Sequence, residues 1–365
     1  MLSAASGVGG SERVAFQIAR GVMARGHSVR GLVRAPVADA GLLDWYRDAT
    51  IPVEASPSLK ALSLVRLLPS MRALARQVRG WAPAVANLHN PGNTILFTDV
   101  LALRRAGVRR VIASAHHPID PATLPRSWRL STRLAARRAD AVVVTSPVLE
   151  ETMLQMGVPA AKLVTIPLGV SVPVDPPCRE AARKSLGLAP DSFLVGSMAR
   201  LEPFKRIDEL VRACAASSAF MKRGYLVVAG DGPERARLET EAQARLPGRF
   251  RFLGTITETE TFYAALDLFA LPSELEGFGL VYAEAAMLGV PSIGCDAGGT
   301  RYAIQDRETG VLLPKAELGR LSTELEALMN TPDELRRLGE NARLRAYDQF
   351  DEAKMIAAYA KLLEL

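Results

Sequence analysis

Short apolar runs alternate with amphipathic stretches along almost the whole chain, and the two periods separate strands from helices. In the first half, Gly10–Arg25 carries helical spacing closed by Gly26, and Val29–Val33 reads as a strand. Leu59–Val78 is interrupted at Pro69, which predicts two helical pieces. Strands are expected at Ala84–His89, Val111–Ala115 and Asp140–Thr145. Helices are expected at Ile95–Ala106, Leu130–Ala136 and Val148–Met156, the last ended by Gly157. Pro167, Pro173, Pro176 and Pro177 then mark a linker.

Beyond the linker a second series begins. Its strands are Leu194–Met198, Tyr225–Ala229, Phe250–Leu253, Leu266–Leu271 and Ser292–Cys295. Its helices include Arg206–Ser217, Glu234–Leu246, Leu280–Leu288, Asp333–Phe350 and Glu352–Leu365. Strand–helix alternation of this kind predicts an α/β protein of two Rossmann-like, doubly wound parallel sheets. Ligands in such sheets bind beyond the carboxyl ends of the strands. The loop Gly7-Val8-Gly9-Gly10 ordinarily follows a strand, yet only Met1–Ala5 precedes it. Either that strand is short or the chain begins upstream of Met1.

Composition narrows the classes. A chain of 365 residues with 48% apolar content predicts two cores. It has no run of eighteen apolar residues and no basic-then-apolar start, so neither a spanning helix nor a secretory leader is expected, and a cytoplasmic location is. Cys178, Cys214 and Cys295 are scattered and the four histidines lack paired spacing, which argues against a metal site. The net charge of +6 conceals a split. Residues 1–172 hold 21 Lys/Arg against 10 Asp/Glu (+11), and the remainder 24 against 29 (−5). Arginines cluster in Leu59–Arg79 and Arg126–Arg138, which fits either an anionic membrane surface or solvated helix faces. With 6% aromatics, none punctuating the basic runs, nucleic acid is not expected as a partner.

The densest chemistry lies at Glu276-Gly-Phe-Gly-Leu-Val-Tyr-Ala-Glu284, between an apolar strand-type run and a helix stopped by Gly289-Val290-Pro291. A helix start after a glycine loop offers free N–H groups to a phosphate, and two carboxylates can accept hydrogen bonds from sugar hydroxyls. Upstream, Arg200 and Lys205 end a strand and occupy the next loop, a fork and a point charge for phosphate oxygens. No Asp-x-Asp motif or ligand cluster appears, so cationic side chains are expected to neutralise a leaving group. His116 ends a strand, with His117 beside it; His89 ends another, and His27 sits in an Arg-Gly-His turn with a structural role.

The ordered set resembles the retaining family-4 glycosyltransferases (glycosyl transferases group 1) of GT-B fold. The resemblance rests on Glu276-x7-Glu284 with Gly289-Val290-Pro291 and Gly298-Gly299, and on Met198–Lys205, Val227–Pro233, Phe252-Leu253-Gly254 and Leu271-Pro272-Ser273. It extends more loosely to Gly9–Arg13 and Arg25–Val29. It implies two domains facing a central cleft: 1–170 on the acceptor side, 171–345 for the nucleotide-sugar donor, and 346–365 as a helix returning to the first domain. The implied activity moves a hexose from a nucleotide-diphosphate sugar to a glycan or lipid-linked acceptor with retention, as in polysaccharide or cell-envelope synthesis. No cofactor or metal is implied.

Arg200 and Lys205 would hold the diphosphate, with Glu276 on the sugar hydroxyls and Glu284 on the ribose. Backbone N–H groups of Gly277, Phe278, Gly279, Leu280 and Val281 would help. Gly9 and Gly10 would let phosphate or sugar approach, Glu12 would cap the following helix, and His116 would face the sugar or acceptor. Departures from the pattern are Arg206 for the usual Gly, Tyr302 for a frequent Glu, and Leu168-Gly169-Val170-Ser171 in the linker. Two rival readings stand: a catalytically silent GT-B partner subunit, and another GT-B sugar-nucleotide enzyme such as an epimerase or phosphorylase.

Overall fold

The strand segments assemble into two parallel sheets, seen in a computed structural model that describes all residues except 1, 4–9, 35–39, 57–63, 91–94, 117–120 and 365. The first sheet contains β1 (Leu2–Ser3), β2 (Gly31–Arg34), β3 (Val53–Ser56), β4 (Val85–Asn90), β5 (Arg110–Ala115), β6 (Ala141–Val144) and β7 (Leu163–Thr165). Its order is β3-β2-β1-β4-β5-β6-β7. The second contains β8 (Phe193–Met198), β9 (Gly224–Ala229), β10 (Phe250–Gly254), β11 (Leu268–Leu271), β12 (Ser292–Cys295) and β13 (Gly310–Leu313), in the order β10-β9-β8-β11-β12-β13. Helices cover the faces, so central strands such as β6, β11 and β12 are buried at every residue and read as unbroken apolar runs.

Strand order fixes where a ligand can enter. It reverses between β1 and β4 in the first sheet and between β8 and β11 in the second. The loops leaving the strands at such a switch point diverge and open a crevice beyond their carboxyl ends. In the second sheet the loop after β8 carries Arg200 and Lys205, and the loop after β11 carries Glu276.

The chain divides into Met1–Gly169 with Glu352–Leu365, and Val170–Asp351. The helix Pro332–Gln349 starts with proline, whose missing N–H costs nothing there, and stays in the second unit to its end. The helix Glu352–Leu363 packs on the first unit's helix Gly10–Met23. Gly21 permits this approach, since a Cβ there would lie 2.5 Å from Ile356. Arg20 pairs with Glu352, and Arg110 donates to the Leu362 carbonyl at 2.7 Å.

Two expectations change. The helix Leu64–Trp81 runs through Pro69 unbroken. Pro69 is its sixth residue and exposed, so one donor is lost near the start and the ladder continues. The strand expected from Leu266 begins at Leu268, because Asp267 is drawn inward as an acceptor for Leu194 N–H (2.7 Å) and Arg183 (2.6 Å). The short strands β3, β7 and β13 carry no clear signal in the sequence; each lies at a sheet edge, with three or four residues to carry a pattern.

Candidate active site

Glycine geometry builds the loop after β11. Gly279 is left-handed (φ +82°) and precedes the helix Leu280–Met287 as its N-cap, so no side chain caps that start and no acidic residue sits in its first turn. The first N–H groups of a helix have no partner within it, which leaves this end open to an anion. Gly299 presses on the loop from behind: its N–H donates to the Glu276 carbonyl at 2.9 Å, and a Cβ there would lie 2.0 Å from the Gly277 oxygen. Phe278 turns its side chain inward against Phe350, edge to face at 5.2 Å, and Tyr302 joins them at 5.9 Å from each. Tyr302 thus contributes an aromatic wall where a carboxylate is frequent in the resembling family, and Arg345 lies over it and over Phe350.

Lys205 and Glu276 come together. Lys205 Nζ lies 2.7 Å from Glu276 Oε1, and the side chains are only 16% and 10% exposed. Glu284, the fifth residue of the helix, is buried and accepts from the Tyr263 hydroxyl at 2.8 Å. Tyr282 ties the same helix back to β11 through the Leu271 carbonyl at 2.6 Å. Its phenol is pushed far up by burial and then by the Glu276 charge, so it stays a donor.

Arg200 does not join the pair: its side chain is 72% exposed and meets Glu202 at 2.9 Å. Its loop is nevertheless held firmly. Gly230 (φ +115°) admits Ala199 so closely that a Cβ would lie 1.9 Å from its oxygen, and Leu201 N–H donates to Asp231 O at 2.9 Å. Arg206 takes the left-handed conformation (φ +53°) that glycine adopts without strain. The cost is offset by carboxylates around its guanidinium, Glu274, Glu209 and Asp208. Burial raises the Glu274 pKa, but Arg206 and Lys315 outweigh it and hold the carboxyl below its usual range. Burial and Asp296 push the Cys295 thiol up to about 11.

In the first unit, Gly10 opens the helix Gly10–Met23 and is exposed, while Gly9 and His117 lie outside the described residues. Glu12 lies inside the first turn of that helix, so it is no N-cap; it is buried and accepts from Ser11 Oγ at 2.9 Å. His116 is buried just past β5, and His89, near the end of β4, meets it at 3.0 Å. His27 is half-buried in the turn after the first helix. Among the described residues, no three His, Cys, Asp or Glu side chains are grouped to hold a metal ion.

Residues 8–172 match the family described as Glycosyltransferase Family 4, and residues 179–345 match Glycosyl transferases group 1. A GDP-mannose-dependent alpha-mannosyltransferase of Mycobacterium tuberculosis is 32% identical over 286 residues, spanning 76% of this chain and 71% of that protein. The chain belongs to the family-4 glycosyltransferases.

Another relative is the GDP-mannose-dependent alpha-(1-6)-phosphatidylinositol monomannoside mannosyltransferase of Mycolicibacterium smegmatis. It is 29% identical over 274 residues, 71% of each chain. The fold of this glycosyltransferase is that of Anabaena Alr3699/HepE, solved in complex with UDP and glucose, with a TM-score of 0.84 over 100% of this chain and 98% of that one at 23% identity. Family-4 glycosyltransferases draw on nucleotide sugars, so the open helix start, the Lys205–Glu276 pair and buried Glu284 belong to an enzyme whose donor is anionic at one end and hydroxylated at the other.

Sequence reasoning missed the hydroxyl of Tyr263 on Glu284, the packing of Gly299 against the Glu276 loop and the pairing of Arg206 with Glu274. Tyr263 and Glu284 are 21 residues apart, Arg206 and Glu274 are 68 apart, and Gly299 acts on a loop more than twenty residues away, distances at which no local pattern carries a signal.

Proposed function

We propose that this glycosyltransferase moves a hexose from a nucleotide-diphosphate sugar to a glycan or lipid-linked acceptor, with retention of anomeric configuration. The observation that carries the reading is the buried Lys205–Glu276 pair beside the uncapped helix start. An arriving diphosphate draws Lys205 away from Glu276 and lies on the first-turn N–H groups of Leu280 and Val281. Glu276, released, accepts hydrogen bonds from the sugar hydroxyls. Glu284, oriented by Tyr263, accepts from the ribose. Exposed Arg200 is free to fold onto the diphosphate as charge develops there. Gly10, with Gly9, leaves room for phosphate or sugar, and His116 hydrogen-bonds the sugar or the acceptor. Glu276 is given an orienting role, since its released oxygens are taken up by the sugar hydroxyls. The leaving phosphate oxygen then takes the acceptor's proton as the new C–O bond forms on the same face.

The acceptor side is read from the basic first unit. The helix Arg126–Arg138 exposes Trp128 (45%) and Leu130 (55%) among exposed Arg126, Arg129 and Arg133. Cations flanking exposed apolar side chains suit an anionic bilayer surface, each contributing about 1 kcal/mol near it. No helix among the described residues is long and apolar enough to cross a membrane. Binding to phosphatidylglycerol vesicles but not to phosphatidylcholine ones, with loss in Trp128→Ser, is expected; equal binding to both rejects this surface.

A thermal-shift screen of UDP-, GDP- and ADP-sugars tests the donor. A donor at about a hundred times its Kd stabilises the folded state by about 2.7 kcal/mol. Absence of any shift and of any nucleotide release at millimolar concentrations rejects the reading. A product whose anomeric configuration is opposite to the donor's, read by proton NMR, rejects retention.

A further inference from the structure

Arg206 follows Lys205 directly and holds a left-handed backbone (φ +53°), at a position where the family-4 pattern usually has glycine. A side chain there carries strain that glycine does not, and its contacts show what the side chain reaches. The guanidinium meets Asp208 and Glu209 in the first turn of its own helix, Ile207–Ala216. Those two contacts close within the helix start. The third, to Glu274, crosses 68 residues of sequence and joins the loop after β8 to the loop after β11.

Glu274 is the meeting point. Its N–H donates to the Phe204 carbonyl at 2.8 Å, its Oε1 accepts from Arg206, and its Oε2 lies 3.4 Å from Lys315 Nζ, just past β13. Three loops at the carboxyl edge of the second sheet thus converge on one carboxylate, two residues before Glu276. The contacts at Phe204 and Arg206 flank Lys205 in sequence, and two attachments fix a loop that one leaves free to pivot. Arg206 and Glu274 are 28% and 26% exposed, so salt screens this pair less than a surface one. Three carboxylates already surround Arg206, which leaves it no surplus charge for a phosphate. We propose that Arg206 and Glu274 are positioning residues whose ion pair latches the Lys205 loop to the Glu276 loop. Lys205 can then swing from Glu276 to the diphosphate while both backbones stay in place. The inference rests on the donor-site roles proposed above for Lys205 and Glu276.

The effect belongs in kcat. Donor binding also draws on the open helix start and Glu284, whereas charge growing on the leaving diphosphate falls to a correctly placed Lys205. Arg206→Gly, Arg206→Lys, Glu274→Gln and the double variant Arg206→Gly/Glu274→Gln of the full chain test this. In Arg206→Gly the relief of backbone strain offsets the lost pair, so its Tm should stay within about 3 °C of the wild type. Its Glu274 amide should nevertheless exchange about tenfold faster in hydrogen-exchange NMR, because the bond to Phe204 opens more often. Arg206→Lys keeps a cation for Glu274 and should retain most of the protection. With a donor identified by the thermal-shift screen, Arg206→Gly and Glu274→Gln should each lose about tenfold in kcat, with KM within about threefold. The double variant should lose no more than either alone, and Arg206→Lys should recover most of the rate. Unchanged exchange at Glu274 in Arg206→Gly overturns the latch, and so do kcat losses that add in the double variant. A KM raised about tenfold at unchanged kcat makes Arg206 a phosphate ligand and overturns it as well. Exchange is read without substrate, so a wild type that turns over no donor rejects the glycosyltransferase reading, while the Glu274 amide still decides the latch.

Discussion

Lys205→Ala removes the cation that Glu276 meets at 2.7 Å while leaving that carboxylate only 10% exposed. Two unit charges about 3 Å apart attract by roughly 5 kcal/mol at an effective dielectric of about 20. Much of this already offsets the desolvation of both groups. Removing one partner of a buried pair costs about 3–5 kcal/mol, because the other charge remains in place unpaired. Both side chains keep an edge in solvent, so we take about 2–3 kcal/mol. A domain of this size shifts its Tm by about 2–4 °C per kcal/mol, so Lys205→Ala should lower the second unit's transition by roughly 5–10 °C. Glu276→Gln should cost less, since an ammonium on a flexible stem can swing to water. The double variant Lys205→Ala/Glu276→Gln, with no stranded charge, should regain about 2 kcal/mol relative to additivity. Scanning calorimetry of the four proteins measures the cycle. The same four, titrated with the nucleotide sugar that stabilises the wild type, separate stability from binding: the double variant recovers its Tm and shows no donor-induced shift. Additive losses within about 0.5 kcal/mol would refute the coupling, and a normal donor shift in the double variant would remove Lys205 and Glu276 from the site.

Tyr263→Phe deletes a hydrogen bond to the buried Glu284 carboxylate; bonds to charged groups contribute about 1.5–3 kcal/mol, so calorimetric Kd for the donor should rise at least tenfold, and an unchanged Kd shows that Tyr263 does not orient Glu284. Gly299→Ala drives a methyl to 2.0 Å from Gly277 O, so the loop must move, with about 1–3 kcal/mol of lost stability and no donor shift. Gly80→Ala, in a helix with open space around it, should instead gain about 0.5–1 kcal/mol in urea melts; equal behaviour of the two alanines contradicts the close-approach argument. Arg307, ahead of the opposing effect of burial, holds Glu324 below the usual carboxylate range. Its folded pKa is thus below its unfolded one of about 4.3, so its contribution is fully present above that pH and is lost as pH falls through the folded value. Glu324→Gln should therefore flatten the fall in urea midpoint below about pH 4.5, and an identical slope in wild type and variant rejects the pairing as its source.

Sequence alone determined the two parallel-sheet cores and the segment that carries the chemistry. Unbroken apolar runs such as Leu268–Leu271 can only be buried on both faces, and alternation with amphipathic helices then demands a parallel sheet. The glycine loop announced the helix start at Leu280, and the structure shows Gly279 there in the left-handed region that glycine adopts without strain. The helix through Pro69 was not legible, since a proline near a helix start is tolerated or not according to what packs around it. Nor were the partners of the site residues. Which charge meets Glu276, which hydroxyl donates to Glu284 and which ring lies against His116 depend on strand order. That order brings the ends of β8 and β11, and of β4 and β5, side by side across long stretches of chain. Local sequence encodes the period and the turn; neighbours in space are chosen by the sheet's topology, which only the assembled core decides.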